Sequence, residues 1–197
     1  MNVRMGNERG AGIAAIGGGA MYAVKAGAIL LGFDQPPLLF EAAPIAFGSC
    51  LALLGRLLTG RLAKVGEVLA YAIVAGAVVN VLEDILTDRE IVPALSSLVD
   101  AVTGFGPFVA LLLLAWASRR QPTPWRPGMI ALAGLYPLVI LLFIPIGLVV
   151  NLDGDTGERL IELPILAIGV GWIVFGRSLE APMRHPGTSA RLPGSSR

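Results

Sequence analysis

The sequence predicts an all-α integral membrane protein, a polytopic transmembrane bundle of six spanning helices with both termini in the cytoplasm. Hydrophobic residues make up 55% of the 197 residues and charged residues only 15%, against about 45–50% and about 25% in soluble domains. The hydrophobic residues are concentrated in six segments, each approaching the roughly 17–25 residues that a spanning helix needs. The charged residues between these segments alternate in sign along the chain.

The six apolar segments differ in strength. They are Ala11–Gly32, Leu38–Leu58, Val65–Leu86, Pro93–Ser118, Gly128–Val150 and Leu160–Gly176. Because lipid offers no hydrogen bonds to the backbone, we expect each segment to be a helix. The second and sixth are the weakest, since their uncharged cores are only about 14 residues long and need snorkelling arginines or thinned lipid. Pro36 and Pro37 predict a short turn between the first two helices.

The charges between the segments predict the orientation. Basic residues lie before the first segment, between the second and third, between the fourth and fifth, and after the sixth: Arg4, Arg9, Arg56, Arg61, Lys64, Arg119, Arg120, Arg126, Arg177, Arg184, Arg191 and Arg197. The other connections hold only Arg89 and Arg159 as basic residues and are mainly acidic: Asp34, Glu83, Asp84, Asp88, Glu90, Asp153, Asp155 and Glu158. Positive residues mark the cytoplasmic side. We therefore predict a cytoplasmic N-terminal segment over residues 1–10, a six-helix transmembrane domain over residues 11–177, and a disordered cytoplasmic tail over residues 178–197.

The first helix carries a lysine deep inside its apolar segment. Small residues recur every four positions at Ala11, Ala15, Gly19, Ala23 and Gly27, a spacing that lets another helix pack closely. At 100° per residue, Lys25 lies roughly on the opposite side from this row. Because both sides of the helix favour protein neighbours, we expect it to be central in the bundle.

Polar residues at matching depth are candidate partners for the lysine. Asp100 lies about two turns inside the fourth helix, on a face with Ser96 and Thr103. At the outer end of the third helix, Asn80 and Asp84 are spaced i,i+4 with Glu83 beside them, and Glu41 begins the second helix: Lys25, Glu41, Asn80, Glu83, Asp84 and Asp100 form the candidate set. We predict an outward-facing polar pocket with Lys25 as its cation and Asp100 as the counter-ion.

Three interpretations of Lys25 remain open at this point. An ionisable side chain inside a membrane is costly and is commonly functional. An ion pair with a purely structural role in helix packing is a second interpretation. A lysine that snorkels outward to the headgroups or the outer loop acids is the third.

Other chemistry has little support in the sequence. The single cysteine, Cys50, is interpreted as a packing residue, and the single histidine, His185, as a solvated one. The run from Asn151 to Gly157, followed by Glu162, resembles an EF-hand calcium loop. It lacks the first aspartate and its glycine falls one place late, so an ordinary acidic turn is favoured. We expect no cofactor, no metal site and no nucleic-acid partner, since phosphate-loop and paired-histidine motifs are absent from the sequence.

The leading function hypothesis is a small solute or ion transporter, or a transport subunit, in the plasma membrane. The alternative is a non-catalytic scaffold or accessory subunit that assembles with other membrane proteins or with copies of itself. An enzyme acting on lipid-linked substrates is the least favoured class. Abundant Gly and Ala, with far more Arg than Lys, are typical of a high-GC bacterial gene.

Overall fold

The computed structural model describes residues 2–34, 36–86, 93–121, 123–149 and 155–180. Within these ranges the chain forms six α-helices joined by turns and one short 3₁₀ segment at Ser118–Arg120. The helices are α1 (Asn2–Leu30), α2 (Leu39–Gly55), α3 (Arg61–Leu86), α4 (Pro93–Ala117), α5 (Arg126–Val149) and α6 (Asp155–Glu180). The predicted all-α class is confirmed. Residues 2–10 belong to α1, and residues 181–197 lie outside the described residues.

Four of these helices are long and apolar enough to cross a membrane. The four stretches in the described chain are Arg4–Leu30, Arg61–Ile85, Ser96–Arg120 and Glu162–Glu180. The apolar stretches Leu39–Gly55 and Arg126–Leu142 are shorter. The sixth helix is therefore a stronger candidate span than predicted, because its apolar stretch continues past the predicted end at Gly176 to Glu180.

The six helices form a closed ring. Each helix packs against the next in the chain, α6 packs against α1, and α2 also contacts α4 across the ring. The expectation that the first helix is central is wrong, because the extensive contacts of α1 are with α2 and α6 only. α2 and α4 each contact three helices and are the more central elements.

Glycines set the register between α1 and α6. A Cβ atom added to Gly19 would lie 2.5 Å from the carbonyl oxygen of Gly169, and one added to Gly12 would lie 3.0 Å from that of Gly176. The two glycines on each helix are seven residues apart, so the antiparallel backbones touch twice, two turns apart. One further heptad on each helix leads to the fully buried Ala26 and to Glu162.

Only part of the predicted small-residue row lies in this contact. Gly19 does, and the backbone nitrogen of Ala23 lies 3.0 Å from where a Cβ of Gly169 would be. A Cβ added to Gly27 would meet no atom within 4 Å. The contact face of α1 includes the four-residue steps Gly12–Ile16 and Gly19–Ala23, and its closest backbone approaches, at Gly12 and Gly19, are seven residues apart because the helix packs along α6.

A tight reversal after α1 brings α2 alongside its last turns. Gly32 has φ +83°, and its N–H donates to the carbonyl oxygen of Ile29 at 3.0 Å. The N–H of Phe33 donates to the carbonyl oxygen of Ala28 at 2.9 Å. This pair of bonds is a Schellman motif, which needs a glycine at the left-handed position. α2 then begins at Leu39, which places Phe40 and Glu41 beside the end of α1.

Candidate functional site: an acidic cavity beside a buried ion pair

A cavity of about 470 Å³ lies among the first four helices. It is at the end of the bundle where α1 and α3 finish and α2 and α4 begin. The described residues that line it are Tyr22, Phe40, Glu41, Pro44, Asn80, Glu83, Asp84, Ser96, Asp100, Thr103 and Gly104. Five of the polar residues predicted to share a pocket therefore do share one: Glu41, Asn80, Glu83, Asp84 and Asp100. We call this space the acidic cavity.

Helical spacing explains how α3 and α4 present these groups. Asn80, Glu83 and Asp84 are spaced i, i+3 and i+4, so they share one face of α3. The amide nitrogen of Asn80 donates to Asp100 Oδ1 across the two helices at 3.5 Å. Below this contact the helices pack closely, since a Cβ added to Gly76 would lie 3.2 Å from Thr103 Cγ2. This contact lies one helical turn before Asn80 and holds α3 against α4 beside the cavity.

The α2 side of the cavity carries an unsatisfied acceptor. Glu41 Oε2 is buried and has no hydrogen-bond partner among the described residues. A buried carboxylate oxygen without a donor is unfavourable. A cation or water in the cavity would supply the missing donor or charge.

Lys25 does not line the acidic cavity. Its ammonium bonds Glu162 Oε1 of α6 at 2.5 Å, and both side chains are only 8% exposed. The prediction that Asp100 is the counter-ion of Lys25 is wrong, because Lys25 lies next to the α1–α6 contact, whereas Asp100 is on α4. Lys25 does not snorkel to the headgroups either, since its ammonium is enclosed by protein.

Two aromatic rings separate this ion pair from the cavity. The Lys25 ammonium lies 4.9 Å from the ring centroid of Phe40. The ring of Tyr22 stacks on Phe40, with centroids 5.3 Å apart. Both rings line the acidic cavity. The fixed positive charge is thus held just outside the cavity and is already engaged by Glu162.

Sequence reasoning missed Glu162 as the partner of Lys25. Glu162 was assigned instead to the end of the calcium-loop-like run, of which residues 151–154 lie outside the described residues, as does His185. Two signals could have found it. Lys25 and Glu162 are each the only charged residue within the predicted spans Ala11–Gly32 and Leu160–Gly176. The heptad spacing of glycines on the two helices also points to this pairing.

A second polar cluster lies at the opposite end of the bundle. Glu67 of α3 bonds Lys64 Nζ at 2.8 Å and lies 3.6 Å from Arg56 Nε at the end of α2. The guanidinium of Arg56 donates to the Tyr71 hydroxyl, at 2.9 Å from Nε. The Tyr71 hydroxyl in turn donates to Glu67 Oε1 at 3.4 Å, so three donor groups surround one buried carboxylate and tie the end of α2 to α3.

The acidic cavity is the better candidate for binding a ligand. Its volume lies within the range of about 300–1,000 Å³ typical of small-molecule sites. Its carboxylates come from α2, α3 and α4, and no lysine or arginine is among the described lining residues. A cleft of one charge sign raises the local concentration of ions of the opposite sign. No group of three or more His, Cys, Asp or Glu residues in the described chain is arranged to hold a metal ion.

Comparisons with protein-family models, with curated proteins and with solved structures found no match to this chain.

Proposed function

We propose that the protein is a six-span plasma-membrane protein, with both termini in the cytoplasm, that transports a small cationic solute. The acidic cavity is the outward-facing binding site in this proposal. The observation that carries it is the convergence of four carboxylates from three helices on one cavity with no described basic residue in its lining.

The distribution of charge supports the orientation. The end of the bundle opposite the cavity carries Arg56, Arg61, Lys64, Arg119, Arg120 and Arg126. The described charged residues at the cavity end are mainly acidic, with Arg159 as the exception, so the positive-inside rule favours an outward-facing cavity. α2, with 17 residues, is about 26 Å long and slightly short of the roughly 30 Å hydrocarbon core. Arg56 at its inner end can snorkel to the headgroups, which supports α2 as one of the six spans.

The chemistry of the cavity favours an organic cation. The ammonium of Lys25 lies behind Phe40 and is bonded to Glu162, so none of the described lining residues brings a positive charge into the cavity, and a cationic ligand would supply one. The cavity volume exceeds that of a bare monatomic ion many times over, and Asn80 and Thr103 add neutral polar groups to the lining. A substituted ammonium with one or two hydroxyl or amine groups fits these features.

Choline and its neutral isostere provide a direct test. We expect purified protein in proteoliposomes to bind and take up radiolabelled choline. Methylammonium and tetramethylammonium should compete, whereas 3,3-dimethylbutan-1-ol, in which carbon replaces the charged nitrogen, should not. Asp100→Asn should reduce choline binding by about tenfold or more, since one lost charge-assisted contact is worth about 1.5–3 kcal/mol. Asp34→Asn is the matched control, because Asp34 is at the same end but does not line the cavity.

Two results would contradict the proposal. One is equal competition by choline and its neutral isostere. The other is a folded wild-type protein that binds none of the three cations at millimolar concentration. The second result would favour the scaffold alternative, in which the polar groups serve packing alone.

A further inference from the structure

An apolar groove lies between α4 and α5, toward the end of the bundle opposite the acidic cavity. Its volume is about 340 Å³. The described lining residues are Phe108, Leu112, Ala115, Trp116, Arg119, Ile130, Ala133, Gly134 and Pro137. Arg119 is the only charged residue among them, and it lies at the end of the groove near the α4–α5 connection. We call this space the α4–α5 groove.

Two arginines near the α4–α5 connection are available to bind an anion. The guanidinium carbon of Arg119 lies 3.8 Å from the centroid of the Trp116 ring, a stacking contact that orients the guanidinium plane. Arg126 lines an adjoining pocket that shares Ile130 with the groove, and its buried Nε has no hydrogen-bond partner among the described residues. Neither arginine forms an ion pair within the part of the chain that the structure describes.

The length of the groove matches one membrane leaflet. Its lining along α4 and the following 3₁₀ segment runs from Phe108 to Arg119, which is twelve residues and a rise of about 16 Å. Half of a hydrocarbon core of about 30 Å is about 15 Å. The groove is therefore long enough for one acyl chain whose headgroup lies at the level of Arg119.

We infer that the α4–α5 groove binds one anionic phospholipid of the cytoplasmic leaflet. The acyl chain lies along Phe108, Leu112 and Trp116, and the phosphate lies against Arg119 and Arg126. Guanidinium groups present paired N–H donors that match phosphate oxygens. Anionic lipids are enriched in the cytoplasmic leaflet, and basic pockets between helices on that side bind them. The inference depends on the proposed orientation but not on transport.

A neighbouring groove shows what the arginines add. It lies between α5 and α6, has a volume of about 210 Å³, and is lined by residues without charge. An apolar groove of this kind can hold any acyl chain. Selection by headgroup charge requires the basic end that the α4–α5 groove has.

Tryptophan fluorescence offers a site-specific measurement. Trp116 is 57% exposed, whereas Trp125 and Trp172 are 2% and 0% exposed. Lipid brominated near the headgroup end of its acyl chain quenches only a tryptophan that it touches, so quenching reports on Trp116. We expect brominated phosphatidylglycerol, added at low mole fraction to phosphatidylcholine vesicles, to quench at roughly thirtyfold lower concentration than brominated phosphatidylcholine, as two basic contacts predict.

Variants separate a site from general surface charge. Arg119→Gln/Arg126→Gln should bring the two lipids close to equal quenching. Arg120→Gln is the matched control, since Arg120 neighbours Arg119 but does not line the groove. Gly134→Leu should weaken quenching by both lipids, because a Cβ there meets no atom within 4 Å and the larger side chain occupies the groove.

Three outcomes would overturn the inference. They are equal quenching of the wild type by the two lipids, an unchanged preference in the double variant, and an equal loss of preference in Arg120→Gln. Gly134→Leu keeps the inference testable if the arginine variants do not fold, and unchanged quenching in that variant would also contradict it.

Discussion

Removing the charge of Lys25 leaves the Glu162 carboxylate buried without its cation. Both side chains are 8% exposed, so water cannot replace the lost contact. Glu162 Oε2 already lacks a partner among the described residues, so the bond from Lys25 to Oε1 is the only one described for this carboxylate. Breaking a buried ion pair by removing one partner costs about 3–5 kcal/mol. The folding equilibrium of Lys25→Met should therefore fall by a factor of roughly a hundred to a few thousand.

The double variant Lys25→Met/Glu162→Leu gives the opposite expectation. Replacing both members of a buried pair by apolar residues is commonly neutral or stabilising. The free energy of unfolding of the double variant should thus lie within about 1 kcal/mol of the wild-type value or exceed it. The residual loss would come from the contact of the ammonium with the Phe40 ring, worth about 0.5–2 kcal/mol.

Unfolding by sodium dodecyl sulfate in mixed micelles, followed by far-ultraviolet circular dichroism, measures these differences. Glu162→Leu supplies the second single variant for a double-mutant comparison. The reasoning is refuted if Lys25→Met unfolds at the same detergent fraction as the wild type. It is also refuted if the effects of Lys25→Met and Glu162→Leu add in the double variant, since additivity means that the two residues do not interact.

Three further predictions concern packing and the second polar cluster. Gly19→Ala should lower the free energy of unfolding by about 1–3 kcal/mol, because its methyl group would lie 2.5 Å from the Gly169 carbonyl oxygen. Gly17→Ala, with no atom within 4 Å of its new methyl group, should stay within about 0.5 kcal/mol of the wild type in the same detergent titration. Glu67→Gln should cost about 1–2 kcal/mol by the same assay, since it removes the charge that Lys64 and Arg56 approach, and an unchanged midpoint would contradict this. Cys50 is fully buried, so a fluorescent maleimide should label it only as the bundle unfolds; rapid labelling of the folded protein would show that the α2 packing is wrong.

Depth along each helix could be read from the sequence. Five polar residues lie near the ends of their apolar segments, and these positions placed all five at one end of the bundle. They are Glu41, Asn80, Glu83, Asp84 and Asp100. Helical spacing placed those on the same helix on one face. The structure accordingly gathers these five residues around one cavity.

The lateral order of the helices could not be read in the same way. Which helix lies beside α1 depends on how side chains interlock, and hydropathy does not encode it. The glycines that press α1 against α6 decide the neighbour of Lys25, and thereby its counter-ion. The small-residue row at intervals of four was a correct sign of close packing at Gly19, but it did not identify the partner helix or the spacing of seven.

The central claim is that an outward-facing cavity attracts cations. Cysteine accessibility at Ser96, which lines the cavity, tests this claim most directly. In a Cys50→Ala background, Ser96→Cys in intact cells should react with cationic methanethiosulfonate ethyltrimethylammonium. The rate of this reaction, divided by the rate at which the same reagent modifies a free thiol in solution, should clearly exceed the corresponding ratio for the anionic sulfonatoethyl reagent. Leu31→Cys, exposed at the same end but not lining the cavity, should show a smaller preference. Labelling of Ser96→Cys only after the cells are permeabilised, or an equal or greater rate with the anionic reagent, would contradict the account.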